Sequence, residues 1–483
     1  MLRRKIEQEL TRWKQEKNHK PLVIMGLRQC GKTFIVQQFA KDNYKHVVYL
    51  NFVKYPEYAS AFAGSKDVDK IIMFLSTQKT GSKFIEEETC IILDEIQECP
   101  EARTSLKFFH EDGRFDIIAT GSLLGVRGYG DKYKQRTPNE KVSIPVGYEE
   151  LITMYPLDFE EFLWANKIPE KTISYLNDCY KSEIPVPDSI HLVMKSLLNQ
   201  YIAVGGLPAA VNVFLETRNM NDVQRVYNAI ISEYQDDMIK YADDKDKPYI
   251  RECFNSVPKQ LASEQKKFQY SKIKPGGRSS MYQGSLQWLE DAGVIRRCYN
   301  TSALGLPLEG NAIDNIFKVY VTDIGLLVAM LGRETRADIL QGNLDSFKGA
   351  IYENLMADTL IKKGVKLYYY HKESGLELDF LVRLNGKCVP LEVKATNAQA
   401  KSLKTVLKHT EKYHIDNAIK FGDFNVGRNG TLLTLPTYMQ FLLDFEPVYP
   451  PIEPIDVDAL RNLTQEYQRA RLAKPNYGTE GRI

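Results

Sequence analysis

Eight residues near the N-terminus, Gly26-Leu27-Arg28-Gln29-Cys30-Gly31-Lys32-Thr33, constrain the fold of this chain more than any others. They follow a short apolar run, Pro21–Met25, that reads as a buried strand, and precede Phe34–Ala40, which reads as a helix. A glycine-rich turn between strand and helix aims several backbone N–H groups, and the positive end of a helix dipole, at one point. A lysine placed as Lys32 reaches the β- and γ-phosphates of a nucleotide, and a hydroxyl placed as Thr33 ligates Mg²⁺. A chance glycine turn ahead of a helix does not require all three residue types in this order. Residues 26–33 are therefore the expected cradle for ATP.

Downstream, Cys90-Ile-Ile-Leu-Asp-Glu95 is an apolar strand that ends in two acids. A carboxylate at such a strand end lies beside the phosphate loop, where Asp94 would hold Mg²⁺ and its water shell. Glu95 is then suited to orient and deprotonate the attacking water. A further strand, Phe115–Thr120, ends in Gly121-Ser122. Ser122 either senses the γ-phosphate from between the other two strand ends or simply closes a turn. With His46–Phe52, these strands alternate with helical segments, which predicts an α/β fold with a parallel sheet flanked by helices. The following loop, Gly125–Gly147, is basic through Arg127, Lys132, Lys134, Arg136 and Lys141. An arginine there could serve transition-state charge, in cis or in a neighbouring subunit of an oligomer. The alternative is a solvated loop.

Composition narrows the class. A chain of 483 residues is long enough for about three domains. Sixty-four basic and 62 acidic residues leave a net charge of +2, so any nucleic-acid surface must be local. The seven cysteines lack CxxC spacing, which argues for free thiols in a reducing compartment and against a zinc site. No apolar run approaches the ~18 residues of a membrane span, and the N-terminus lacks the apolar stretch of a signal peptide. A cytoplasmic protein with no membrane partner is expected.

Residues 166–335 read as mostly helical, broken by Gly205-Gly-Leu-Pro208. Within them Ile250–Ala262, Ser271–Ile273 and Ser279–Ala292 read as short helices, and Val294–Tyr299 and Phe317–Thr322 as a strand pair. Three helices and a two-stranded wing is the winged-helix plan. Lys259, Lys266, Lys267, Lys272, Lys274 and Arg278 would bring it positive charge for phosphate contacts. The alternative is a helical lid on the nucleotide domain, whose partner would be protein.

In residues 336–446 two alternating runs, Leu376–Arg383 and Cys388–Lys394, flank Leu384-Asn-Gly-Lys387. The Asn-Gly pair is a strong hairpin signal and fixes the register. Asp379 then lies opposite Glu392 and Glu377 opposite Lys394, all on one face. Facing carboxylates are destabilising unless neutralised, and a divalent cation such as Mg²⁺ neutralises them. Lys394 could then stabilise a pentavalent phosphate or position a water. Glu353, on the packed face of a helix Gly349–Lys363, is a candidate third carboxylate. The alternative is an exposed hairpin in which a Glu377–Lys394 pair offsets the acids. From residue 447 the chain reads as an extended tail with one short helix.

Taken together, the loop 26–33, Leu93-Asp-Glu-Ile-Gln97, Thr120-Gly-Ser122 and Tyr155–Phe162 resemble a family of prokaryotic AAA-type P-loop ATPases, as do Gly205–Pro208 and Phe317–Leu327. The resemblance covers roughly residues 5–445. It implies an ATPase domain at 1–165, a lid or winged-helix region at 166–335, and an α/β domain at 336–446 similar to PD-(D/E)xK endonucleases. Asp379, Glu392 and Lys394 match the D…ExK signature of that fold, and Glu353 the acid before it. What the resemblance implies is ATP hydrolysis coupled to Mg²⁺-dependent chemistry on DNA. A nucleotide-switched module that grips nucleic acid or protein without cutting is the alternative. One departure is Tyr148, where the family often carries arginine after Pro-Val-Gly.

Overall fold

The computed structural model describes residues 1–122, 147–241, 246–263, 266–343, 347–395, 400–447, 449, 451 and 457–472. The loop arginines and lysines between 127 and 141 lie outside the described residues. Residues 1–445 form one unit and 446–483 another.

The first sheet is built from β1 (Leu22–Gly26), β2 (His46–Asn51), β3 (Thr89–Asp94), β4 (Asp116–Ser122) and β5 (Glu150–Met154). All neighbours are parallel, in the order β2-β3-β4-β1-β5. Parallel strands are covered on both faces, which is why β3 and β4 read as nearly unbroken apolar runs. Alternate residues serve the two faces. Leu22, Ile24, Ile92 and Ile118 pack with the helices Ile6–Gln15 and Lys32–Asn43. Val23, Ile91, Leu93 and Ile117 pack on the other side with Val68–Gln78 and Pro100–Asp112. The edge strand β5 was not anticipated, because Glu150–Met154 is too short to show a period of its own.

A run of helices follows, among them Phe159–Ala165, Asp188–Val204, Met220–Tyr241, Lys247–Leu261 and Ser279–Asp291. The second sheet is mixed. Its strands are β6 (Ile295–Thr301), β7 (Ala312–Val321), β8 (Tyr368–His371), β9 (Glu377–Leu384), β10 (Lys387–Val393), β11 (Ala418–Gly422), β12 (Gly427–Asn429) and β13 (Leu432–Pro436). Their order is β12-β13-β11-β10-β9-β8-β6-β7.

Two features differ from the expectation. The β6–β7 pair is not a separate wing: β6 pairs in parallel with β8 through Tyr299–Tyr368 and Asn300–Tyr369. A lone strand pair leaves backbone donors unpaired along its edge, and joining the larger sheet satisfies them on one side. The helical region likewise shares one apolar core with that sheet, running from Leu157 through Tyr227 and Leu286 to Phe380 and Leu443. The hairpin itself has the expected register, with Leu384 opposite Lys387 and Phe380 opposite Leu391. Asn385 and Gly386 both take positive φ, as the two-residue turn demands.

All seven cysteines are free thiols and six are buried. Among the described residues no helix is long and apolar enough to cross a membrane.

Candidate functional site

The phosphate loop joins the end of β1 to the helix Lys32–Asn43. Gly26 lies between Ser122 of β4 and Met154 of β5. A Cβ on Gly26 would meet the Met154 carbonyl oxygen at 2.2 Å, so no other residue fits without moving β5. Gly31 enters the helix at φ 95°, a left-handed conformation that turns successive peptide groups about one centre. The Lys32 ammonium is folded back onto the loop, donating to the carbonyls of Gly26 (3.1 Å) and Leu27 (3.0 Å).

The acid of β3 stands beside it. Thr33 Oγ1 donates to Asp94 Oδ1 at 2.9 Å. The Thr120 hydroxyl donates to the same oxygen. Tyr49 (2.5 Å) and Asn51 (2.7 Å) occupy Oδ2. A hydroxyl and a buried carboxylate side by side are a donor set that fits Mg²⁺. Residues Tyr49, Asn51 and Thr120 were not anticipated here. Their arrival depends on strand order, since β2 pairs with β3 so that Asn51 adjoins Asp94, and β4 fills the slot between β3 and β1. Ser122 ends that slot strand next to Gly26. Glu95 follows in the left-handed region at φ 55°, with Gln97 Nε2 donating to its carboxylate at 2.5 Å. Such backbone strain recurs at functional sites.

The second group of candidates forms a carboxylate–lysine centre on the mixed sheet. Asp379 of β9, Glu392 of β10 and Glu353 of the helix Lys348–Lys362 are all at most 6 % exposed. An exposed hairpin is thereby excluded. In place of the Glu377–Lys394 pair of that alternative stand two other arrangements. Lys394 lies 2.6 Å from Glu392 and 3.7 Å from Asp379, so one ammonium spans both acids. Glu377 instead meets Lys318 of β7 at 2.7 Å. Lys318 is itself buried and also lies 3.8 Å from Glu353. Glu353 takes a further ion pair from Lys266 and a hydrogen bond from the Tyr320 hydroxyl at 3.2 Å. Lys266, expected on a phosphate-facing turn, is thus turned inward.

The electrostatics separate the three acids. Burial, then the neighbouring Asp379, pushes the Glu392 carboxyl up to about 7 despite Lys394. Burial and the Glu353 charge raise Asp379 as well. Burial alone would raise Glu353, but Lys318 and Lys266 outweigh it and hold its carboxyl below the ordinary range. Asp379 Oδ2 accepts the Val393 N–H at 2.9 Å, whereas Glu392 Oε2 is buried without a hydrogen-bond partner. That orphaned oxygen and Asp379 are suited to a cation. No group of three or more His, Cys, Asp or Glu side chains is arranged to hold a metal ion among the described residues. Glu353, expected as a metal ligand, is held by two lysines and a tyrosine. Lys318 and Tyr320 were missed because a lysine within an apolar strand gives no local sign of what it faces.

A polar seam runs between the two sites. Leu157, just after β5, accepts from the Tyr201 hydroxyl (2.9 Å) and from Lys362 (2.9 Å), on the helix that carries Glu353. Lys362 also pairs with the buried Asp358 at 2.8 Å. At the departure noted above, Tyr148 packs against His110 and Lys107, and the adjacent Glu149 pairs with the buried Arg103 at 2.6 Å.

Residues 18–163 match the family model described as AAA domain. Residues 195–337 and 348–438 match two models each described as a domain of unknown function, DUF8612 and DUF4143. No curated protein matches the chain. Among solved structures, a Walker-type ATPase of Pyrococcus abyssi is similar at 12 % identity and a TM-score of 0.40, covering 68 % of this chain and 96 % of that one. The parallel sheet with its phosphate loop is thus similar to AAA domains, and the two regions that follow it match domains of unknown function.

Proposed function

We propose that this protein hydrolyses ATP at the loop 26–33 and uses the nucleotide state to control a nuclease-like centre that acts on DNA. The observation that carries the second half is the buried Asp379–Glu392 pair spanned by Lys394, with one Glu392 oxygen unpartnered. In the first site Thr33 and Asp94 would hold Mg²⁺, with Lys32 on the phosphates and Glu95 orienting water. In the second, Asp379 and Glu392 would hold Mg²⁺, with Lys394 beside the scissile phosphate. When bound, Mg²⁺ offsets negative charge that develops on phosphate oxygens. With Lys266 committed to Glu353, Lys259, Lys267, Lys272, Lys274 and Arg278 are the remaining basic residues suited to DNA backbone contacts.

A second reading has its own support. Glu353 and Glu377 are already neutralised by Lys266 and Lys318. A centre so balanced can grip nucleic acid or protein without cutting.

The test incubates linear and single-stranded DNA with the full chain and Mg²⁺ or Mn²⁺, beside Asp379→Ala. Cleavage by the wild type that the variant lacks supports the nuclease; intact DNA on every substrate favours the switch. For the first site, Lys32→Ala should abolish ATP binding. Glu95→Gln should still bind ATP but release no phosphate, and undiminished release would remove Glu95 from its assigned role.

A further inference from the structure

The loop's carbonyl oxygens, rather than its N–H groups, show how the cradle is set. A planar trans peptide points its C=O and its N–H in opposite directions, so fixing the carbonyl of one residue fixes the N–H of the next. Inside the loop, Lys32 takes the carbonyls of Gly26 and Leu27. Two more are held from outside. Arg4 Nη1 donates to the Cys30 carbonyl at 3.0 Å, and the Tyr234 hydroxyl donates to the Arg28 carbonyl at 3.3 Å.

Neither anchor is a casual surface contact. Arg4 is buried, and its other nitrogens are committed to Glu161 (3.1 Å) and to the Tyr155 carbonyl (2.6 Å) beyond β5. Its guanidinium is a rigid fork, held at two prongs and applied to the loop with the third. Tyr234 is also buried, on the helix Met220–Tyr241, where the preceding Glu233 accepts from the Gln29 side chain.

We propose that Arg4 and Tyr234 are positioning residues for the triphosphate: Arg4 presets the Cys30–Gly31 peptide so that the Gly31 N–H points away from it, and Tyr234 does the same for the Gln29 N–H. The nucleotide site therefore includes the segment before the first helix and one helix of the middle region, both remote in sequence from the loop. This inference rests on the loop being the ATP site.

The test is ATP binding with Mg²⁺ by calorimetry, together with the melting temperature of the nucleotide-free protein. Arg4→Ala should weaken ATP by about tenfold or more, the range for losing a charged hydrogen bond that acts on a ligand site. Arg4→Lys, which keeps a donor but loses the fork, should fall between. Tyr234→Phe removes only the hydroxyl and should weaken ATP by roughly three- to tenfold while leaving the melting temperature within ~2 °C of wild type. Wild-type ATP affinity in both Arg4→Lys and Tyr234→Phe, whatever happens to the melting temperature, would overturn the proposal. Failure of the underlying site is distinguishable: there the wild type itself does not bind ATP, and Lys32→Ala is no different.

Discussion

Asp94 illustrates how much a single side chain can be read in advance. An acid at the end of an apolar strand, downstream of a phosphate loop, is expected beside that loop, and Asp94 does accept from the Thr33 hydroxyl at 2.9 Å. The three residues that hold it with Thr33, namely Tyr49, Asn51 and Thr120, do not announce themselves. Each is an ordinary polar residue at a strand end until the strand order brings it near. The same holds for Lys318. Fully enclosed ammonium groups are rare unless paired, and Lys318 has acids on two sides. Replacing it by methionine leaves the buried Glu353 with Lys266 alone and the partly exposed Glu377 without its lysine. Lys318→Met is therefore expected to lose about 1–3 kcal/mol of stability, less than for a fully buried pair because Glu377 reaches solvent and Glu353 keeps Lys266. Adding Glu377→Gln should recover part of it. Urea unfolding midpoints check both, and an unshifted Lys318→Met midpoint would show that the pair contributes nothing net.

At the level of elements, the helix Lys348–Lys362 ties the two halves together. Its Glu353 enters the carboxylate–lysine centre, and farther along the same helix Asp358 and Lys362 reach the seam at Leu157 and Tyr201. Asp358 is enclosed. Burial pushes its carboxyl up to about 7, against the pull of Lys362 and with help from Asp323 and Asp158. The native state then keeps this proton over a range where the unfolded chain, with a carboxyl near 4, has lost it. The folded-state value is the higher one, so the stabilisation is complete below about pH 4 and is lost as pH rises through about 7. Asp358→Asn should flatten that decline, by on the order of 2–4 kcal/mol between pH 4 and 7.5. Denaturant midpoints across that range give the slope; an unchanged slope would mean that Asp358 titrates as an ordinary surface acid. This pair was hidden in the sequence because an Asp and a Lys four apart on a helix usually mark a solvated face.

On the scale of the whole molecule, residues 1–445 contain all four buried apolar clusters found among the described residues. The remaining unit holds the helix Val457–Leu472, on which Val457, Leu463 and Tyr467 are exposed. Removing residues 446–483 should therefore leave the main thermal transition within about 2 °C of the full chain. A larger drop would show that the tail is part of the folded core. Within the main unit, the largest cluster joins the helical region to the mixed sheet. Signals for separate domains in the sequence were shifts of period, and a shift of period marks a change of element, not the end of a core.

What the sequence alone determined is local. The phosphate loop, its strand and its helix, the acid pair at Asp94–Glu95 and the Asn-Gly hairpin register all depend on residues within a few positions of one another. Spacing and turn chemistry fix such features before any packing occurs. The tertiary structure alone decided the rest. It placed β4 between β3 and β1, carried β6 and β7 into the sheet of the hairpin, and set three lysines against four acids. It also brought Arg4 and Tyr234 to the outside of the loop. These juxtapositions depend on which strands become neighbours and on how buried charges find partners, which are choices made over hundreds of residues. The opening eight residues set the loop and its expected ligand class, and the distant residues that contact the loop were left to the fold.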